Sequence, residues 1–584
     1  MTDALPPSPH KLVEQANIRG DQIAYRWPDG DNWKSATWKT YLAEVEACGR
    51  AMIAAGVQRG QVVCILGGNT PEWTTMSLAA MTIGASPAGI YFSCSAEEIA
   101  YILNHSEAPI VLAETEEHFN RINESLGDLP HLKNVIMMRG VSSGADIQTG
   151  WDEFVGADNS AHQAELEKRR DAVTPKDTGT LVYTSGTTGP PKAVVLSYGA
   201  LSWTSTTLLG MFPMQGNDRV MSYLPLAHIA EATNSIHNHV FAGYEMWLVR
   251  DLNELAVRLP QVRPHTMFGV PRVWQKIHEG LTKKLGEATG TKAKLAAWSL
   301  KVGREVALQE MDGKPATGLL KMKHNFADKL VLSKIRAALG LDECRLPVSG
   351  AAPISREVLE FFASLGIVIY EVYGQSEDCG PTSFNRPGKV KFGTVGPPIP
   401  GMEVRIADDD EIQIRAPSLF DGYLKNEAAT NETLVDGWLL TGDLGRLDNE
   451  GFLHIIGRKK DIIITAGGKN IAPANLENDL MDIPIVEHAV VIGDERKYLS
   501  AVITLSEEAM ASVEDKSPEA IRAIIQAGVD AMNEKYARVE HVREFAILDK
   551  PLTIDAGELT PTMKVKRNIV MKNHAAVIDA IYAE

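Results

Sequence analysis

The stretch Leu181–Ala193, LVYTSGTTGPPKA, decides how the rest of the chain is read. A short apolar run leads into Thr184, Ser185, Gly186, Thr187 and Thr188, followed by Gly189, Pro190, Pro191 and Lys192. Such a loop can turn backbone N–H groups, hydroxyls and one ammonium toward a single anion, and a phosphate chain suits that donor set. It departs from the common P-loop, in which Gly-Lys-Ser/Thr follows an earlier Gly at a fixed spacing. Here Pro190 and Pro191 separate Gly189 from Lys192, and Ala193 supplies no hydroxyl for a metal. Taken alone, a cluster of this kind reads as a polar surface loop between two strands.

The chain around it has 584 residues, too many for one hydrophobic core, so two or more domains are expected. Its 44% apolar and 23% charged content is ordinary for a water-soluble globular protein. A net charge of −17 argues against a nucleic-acid binder. The five cysteines (Cys48, Cys64, Cys94, Cys344 and Cys379) form no CxxC pair or zinc spacing, which points to free thiols in a reducing cytoplasm. No signal-peptide pattern opens the chain, and no apolar run approaches the ~20 residues of a membrane span. Peripheral contact with a membrane stays open, as does a homodimer.

Strands are expected at Ile23–Trp27, Val62–Leu66 and Pro109–Ala113. Helices are expected over Thr37–Ala55, with Tyr41, Val45, Cys48 and Met52 on one face, from Pro71, and from Ser95 with Glu97 and Glu98 behind it. This alternation implies a mainly parallel sheet covered by helices. Residues 140–175 have little periodicity and read as surface connection. Beyond the central loop come a strand Ala193–Leu196, a helix Tyr198–Leu209 and a strand Arg219–Leu224 that runs into Pro225-Leu226-Ala227-His228. His228 alone would be a helix-start histidine, with a helix over Ile229–Tyr244 after it. Two helical patterns follow, one with Leu295, Trp298, Val302 and Val306 on a face and one with Leu319, Met322, Phe326 and Leu330; both read as packing faces. Gly350-Ala351-Ala352 is a turn small enough for a flat ring to approach. Asp443, after Thr441-Gly442, reads as a turn aspartate.

Three further segments share the order of one known family: Tyr373-Gly374-Gln375-Ser376-Glu377, Thr441-Gly442-Asp443 and Gly457-Arg458-Lys459-Lys460-Asp461. With TSGTTGPPK they resemble the adenylate-forming superfamily of acyl-CoA synthetases, luciferases and peptide-synthetase adenylation domains. The likeness runs from about residue 10 to the C-terminus. The two helices that carry the Leu295–Val306 and Leu319–Leu330 faces, and the segments Ser222–Glu231 and Phe268–Ile277, look like long-chain acyl-CoA synthetases of the bubblegum type and related bacterial enzymes.

The resemblance implies an α/β fold. A large N-terminal domain (residues 1–457) of sheets covered by helices carries the nucleotide and acyl sites, a hinge occupies 458–460, and a small mobile α+β domain (461–584) carries the catalytic lysine. It implies ATP and CoA as co-substrates, Mg2+ and a fatty acid. Thr184, Ser185, Gly186, Thr187, Thr188, Gly189 and Lys192 would hold phosphates. Gly350, Ala351, Ala352, Glu371, Tyr373, Gly374, Gln375, Ser376, Asp443, Arg458 and Lys564 would complete the ATP site. Glu377, with Thr184, would hold the metal. His228, Ile229, Gly350 and Ala351 would line the acyl pocket, and Lys460 would be the pivot. The catalytic set would be Lys564, Glu377, Thr184 and His228. Two departures stand out: Ser376 where threonine is usual, and Met563 where the lysine loop commonly has glycine. The activity implied is conversion of a long-chain acid to acyl-AMP and then acyl-CoA. The alternatives are a fatty acyl-AMP ligase that loads a carrier protein, a ligase for aryl or shorter acids, and a non-catalytic binder.

Overall fold

The strand Val62–Leu66 shows how the large domain is layered. All five residues are buried, as in a parallel strand covered on both faces. Val63 and Ile65 enter one apolar core while Val62, Cys64 and Leu66 enter another, which is the two-residue alternation of a strand between two helix layers. The computed structural model describes residues 5–141, 144, 146–184, 190–311, 313–466, 469–511, 513–560 and 563–583.

Two eight-stranded sheets form the large N-terminal domain. In the first, Ser86–Ile90, Val62–Leu66, Ile110–Ala113, Asn134–Met137 and Gln148–Gly150 are parallel neighbours, and Thr178–Thr184 joins them in parallel. Lys192–Ser197 and Gly422–Tyr423 close that edge antiparallel. The second sheet centres on parallel Arg219–Ser222, Thr266–Gly269, Leu346–Ser349 and Tyr370–Tyr373. A five-stranded antiparallel sheet with Trp438–Leu447 at its centre completes the domain. The C-terminal domain is α+β: a three-stranded sheet of Val486–Ile492, Leu499–Leu505 and Val542–Ile547 carries the helix Pro518–Asn533. Its two apolar cores draw only on residues from Ile463 onward, whereas the other four end at Ile455, so the domains do not share a core.

Local rules account for many of these elements. Thr37 caps the helix Trp38–Ala54, whose Tyr41, Val45, Cys48 and Met52 are fully buried. Ser95 and Glu98 form a reciprocal capping box on Ala96–Ser106. Elsewhere the expectations need correction. Residues 140–175 are not mere connection: a strand at Gln148–Gly150 and helices at Trp151–Gly156 and Gln163–Asp171 bury Trp151, Phe154 and Leu166 in the first core. A few large anchors suffice to dock a segment whose other residues are polar. The stripe Leu319, Met322 and Phe326 does not pack inward; it is exposed on the helix Gly318–Ala327. Asp443 lies inside the strand Trp438–Leu447 rather than at a turn, one residue past Gly442 in left-handed backbone (φ 67°) at a register irregularity. The helix after His228 ends at Ala242 and contains a π turn, Thr233–His237.

Candidate active site

Thr184 ends one strand and Lys192 begins the next, so the antiparallel register sets them opposite each other at the base of the loop. Thr184 Oγ1 donates to the Lys192 carbonyl at 3.3 Å. Ser185, Gly186, Thr187, Thr188 and Gly189 lie outside the described residues. The Lys192 ammonium sits 4.7 Å from the centre of the Tyr423 ring, a cation–π distance. Tyr423 OH donates to Glu377 Oε1 at 2.7 Å. One tyrosine therefore positions both the loop lysine and the carboxylate. Sequence reasoning missed Tyr423. Its strand Gly422–Tyr423 pairs with Val195 and Val194, a remote neighbour that no local pattern announces.

The nucleoside side is built around Asp443, which is buried. Tyr373 OH and Gln375 Nε2 each donate to Asp443 Oδ2 at 2.6 Å, and Arg458 Nε lies 2.8 Å from Oδ1. Asp443 and Arg458 are cross-strand partners, which explains that contact. Tying the Tyr373 hydroxyl to a carboxylate fixes its ring, and burial with Asp443 beside it pushes the phenol pKa well up, so it stays a donor. Gly374 has no alternative residue: a Cβ there would sit 1.4 Å from the Gly380 carbonyl oxygen. Ser376 is half-buried in the same loop, and its carbonyl accepts from Cys379 N–H at 3.1 Å. Beneath it, Asp378 is fully buried; Oδ1 accepts from the Gln375 and Gly380 N–H groups, and Thr382 donates to Oδ2.

Gly350 is packed so closely on Val372 that a Cβ would come within 2.6 Å of Cγ1, whereas Ala351 and Ala352 are exposed. Ala351 holds a left-handed backbone (φ 70°), a strained state for a non-glycine residue at a functional turn. Glu371 pairs in register with Ser349. Its Oε2 and the Ser349 hydroxyl are both buried without a partner among the described residues. Burial pushes the Glu371 pKa up to about 8, which leaves a neutral acid at pH 7.

His228 caps the helix behind it, its Nδ1 accepting from Ala230 N–H at 3.2 Å. That bond places the imidazole proton on Nε2 by inference. Burial, with Lys564 nearby, lowers the His228 pKa to about 4, so the ring is a neutral donor. Ile229 beside it is buried. Lys564 comes from the C-terminal domain. Its side chain stays open to solvent, yet it is surrounded by protein, as a group inside a cleft is. Desolvation and the Arg458 charge lower its pKa, against a raising effect of Asp443. Arg458 itself is raised, because Asp443, Tyr373 and Glu377 outweigh its desolvation. Lys564 acts on His228, Arg458 and Asp443 act on Lys564, and Glu377 acts on Arg458, so these charged groups lie near one another across the two domains. Met563 holds φ 62°, which is why glycine is the easier residue at that position. Lys460 is exposed in a short turn, Lys459–Asp461, and Lys459 is anchored by Asp409 at 2.6 Å and Glu411 at 3.2 Å.

Among the described residues no three His, Cys, Asp or Glu side chains converge on a metal-sized site. Glu377 fits a hard cation nonetheless, because only its Oε1 is bonded, and such an ion commonly uses one or two carboxylates plus substrate phosphates.

A large α/β domain that carries the phosphate-loop strands, Glu377 and Asp443, and a small α+β domain that contributes one lysine, are the two parts of an adenylate-forming enzyme. The comparisons agree: the AMP-binding enzyme family matches residues 12–424, and the AMP-binding enzyme C-terminal domain matches residues 460–584. The chain belongs to the AMP-binding enzyme family. It is 36% identical over 605 residues to the long-chain-fatty-acid–CoA ligase FadD15 of Mycobacterium bovis, covering 99% of this chain and 98% of that one. It is 35% identical to the long-chain-fatty-acid–CoA ligase ACSBG2 of Xenopus laevis, covering 100% and 84%. In fold it is similar to the anthranilate CoA ligase AuaEII in complex with anthranoyl-AMP, with a TM-score of 0.74 at 20% identity over 99% and 98% of the two chains. The o-succinylbenzoate CoA synthetase of Bacillus subtilis with ATP and magnesium ion gives 0.69 at 20%, over 96% and 98%. The chemistry of the family is ATP-dependent adenylation of a carboxylic acid.

Proposed function

We propose that the protein is a long-chain fatty-acid–CoA ligase. The observation that carries the substrate class is full-length similarity to ligases of that name at 32–36% identity. The chemistry rests on the cleft. A carboxylate is a poor acyl donor because its leaving group would be oxide. In the first half-reaction a carboxylate oxygen attacks the α-phosphorus of ATP, a new O–P bond forms, and pyrophosphate departs with the electrons of the broken bond. Charge accumulates on phosphate oxygens, so positioning and electrostatics dominate.

The geometry of the described residues supports their roles, and the sequence motif supports those of Ser185–Gly189. The His228 Nε2–H is suited to donate to the fatty-acid carboxylate. Lys564 balances charge between that carboxylate and the α-phosphate. The loop Thr184–Gly189 with Lys192 holds the outer phosphates. Mg2+, when bound by Glu377 with Thr184 nearby, offsets phosphate charge. Tyr373 presents its ring to adenine beside the Gly350–Ala352 turn, with Glu371 behind it. Asp443 accepts from the ribose hydroxyls. Three of its roughly four acceptor positions are already filled, so one partner must yield. Arg458, at 59% side-chain exposure, is the one with room to leave. In the second half-reaction the CoA thiolate attacks the acyl carbonyl and AMP leaves, after the small domain pivots at Lys460 and withdraws Lys564. We place this chemistry in a reducing cytoplasm, in keeping with five cysteines that form no disulfide.

The test is AMP formation from Mg-ATP with fatty acids of graded length, with and without CoA. Stoichiometric AMP and acyl-CoA that need CoA and peak with long acids are expected. Acyl-adenylate that accumulates regardless of CoA would point to an acyl-AMP ligase instead, and a peak with aryl or short acids would replace the substrate class.

A further inference from the structure

Glu231 is a buried acid that the chemistry above does not use. It stands one turn past His228 on the helix Ile229–Ala232 and is 1% exposed. Among the described residues no cation acts on it; the groups that do are the hydroxyls of Ser235 and Ser222 and the N–H of Leu224. Ser235 Oγ donates to Glu231 Oε1 at 2.5 Å. A carboxyl taken out of water without a cation is costly, so what it connects decides what it does.

Those connections run both ways along the chain. Ser235 lies further on, in the π turn Thr233–His237. Ser222 ends the strand Arg219–Ser222, and Leu224 leads from it into Pro225-Leu226-Ala227-His228. One side chain thus joins the entry of that turn to the helix that leaves it. Asn69, buried just past the strand Val62–Leu66 of the first sheet, brings in a third segment. Its Nδ2 donates to Ser222 Oγ at 2.8 Å and to the Leu224 carbonyl at 2.9 Å. With its oxygen engaged as an acceptor, the Ser222 hydroxyl keeps its hydrogen for Glu231.

The turn between these ends is constrained at its tip as well. The His228 N–H donates to the Pro225 carbonyl at 2.9 Å, and the His228 carbonyl accepts from the Ala232 N–H at 3.0 Å. Ala227 lies against Gly89 of the first sheet, where a Cβ would come within 2.6 Å of the Ala227 Cα. That contact stops the turn from moving toward the first sheet, and the carboxyl stops its two ends from parting. His228 is fixed between the two.

We propose that Glu231 is a positioning residue for His228: it holds the Pro225–His228 turn so that Nε2–H is aimed at the carboxylate of the substrate acid, and does not touch that acid itself. The inference rests on the reading of His228 as that donor. Aim matters because a misplacement of about 1 Å can cost 10²-fold in rate.

The test is a double-mutant cycle in the full-length protein, read as kcat/KM for a long-chain acid in pyrophosphate release, with the KM for ATP alongside. Glu231→Ala is expected to lower kcat/KM for the acid about 10–100-fold, while the KM for ATP stays within about twofold of wild type. Glu231→Gln stays within a few-fold, because its amide oxygen can accept from the Leu224 N–H and the Ser235 hydroxyl can reverse to accept from the amide. In a His228→Ala background, Glu231→Ala costs less than about threefold more, since a residue that acts through an absent ring has little left to lose. Ser222→Ala cuts the strand end of the connection more mildly; it follows the same pattern at smaller amplitude and carries the cycle if Glu231→Ala does not fold. Equal losses with and without His228 would overturn the proposal and leave the His228 reading standing, because Glu231 would then serve the fold alone. Glu231→Gln falling as far as Glu231→Ala would also overturn it, since a charge rather than a connection would be required. A His228→Ala enzyme as active as the wild type would overturn the reading of His228, and the proposal with it.

Discussion

The two sides of the cleft are built in opposite ways. On the nucleoside side, Tyr373 and Gln375 of one segment and Arg458 of another converge on one buried carboxylate, Asp443, before any ligand binds. On the other side the described bonds of the lysine turn run between backbone groups and the Thr560 hydroxyl. The Thr560 N–H donates to the Lys564 carbonyl at 2.8 Å, and the Lys564 N–H donates to Thr560 Oγ1 at 3.0 Å. The Lys564 ammonium has no ion pair among the described residues, and its charge sits in a cleft that already disfavours it. One side is assembled in advance so that little ordering is left for binding; the other keeps a charge uncompensated until a substrate supplies the anion. Preorganisation suits the part that holds still through both half-reactions, and an unpaired lysine suits the part that must leave after the first.

The largest break in this contrast should come from Lys564→Ala. Loss of the charge aimed at the developing phosphate oxygens should cost about 10²–10³-fold in acyl-adenylate formation, read by pyrophosphate release. Thioester formation from added acyl-adenylate should stay within a few-fold of wild type, and the melting temperature should stay close to it, because no ion pair among the described residues is lost with the ammonium. Equal loss in both half-reactions would mean the lysine does not withdraw.

Asp443→Ala should behave differently. It leaves three donors unpaired and removes a charged acceptor, so kcat/KM for ATP should fall about 10–100-fold. Here the melting temperature should fall as well, because the brace also belongs to the fold. A normal melting curve would show that the three partners find each other or water without the carboxylate.

This division also marks how far the sequence could be read. The helix Trp38–Ala54 was legible because its buried face, its Thr37 cap and its period all lie within one short stretch. The same holds for Ser95 and Glu98, and for the apolar run Val62–Leu66. What escaped needed information from elsewhere in the chain. Asp443 looks like a turn residue until Glu411–Arg415 and Leu453–Arg458 pair on either side of its strand. Tyr423 acquires a role only when Glu377 and Lys192 arrive from remote segments. Periodicity put Leu319, Met322 and Phe326 on one face correctly, but a period does not say whether a face is covered. Residues 140–175 failed for the converse reason: Trp151, Phe154 and Leu166 are too sparse to make a period, yet large enough to dock a segment.

Tyr423→Phe sharpens the comparison at smaller amplitude. It removes the bond to Glu377 but keeps the ring under Lys192, so the carboxylate loses its orientation while the cation–π contact remains. Expected is about a tenfold rise in the Mg2+ concentration for half-maximal rate, from a single hydrogen bond to a charged group. The KM for ATP at saturating Mg2+ should move little. A shift in both together would assign the tyrosine to the phosphates rather than to Glu377.

The smallest effect concerns the floor of the braced side. Burial, with Thr382 and backbone N–H bonds opposing it and Glu377 adding to it, pushes the Asp378 pKa up to about 7. The unfolded chain would release that proton near pH 4. Between those values the folded state holds more protons than the unfolded one, so stability contributed at this site falls as pH rises from about 4 to about 7 and is level above. Asp378→Asn keeps an oxygen for the Gln375 and Gly380 N–H groups, and the Thr382 hydroxyl can reverse to accept from the new amide. The variant lacks the titration, so its melting temperature relative to wild type should climb across that window and then stay constant. A difference that stays flat across this window, from about pH 4 to about pH 8, would mean the folded protein keeps Asp378 ionised. The Gly374–Gly380 loop would then be anchored on a buried charge, not on a neutral acid.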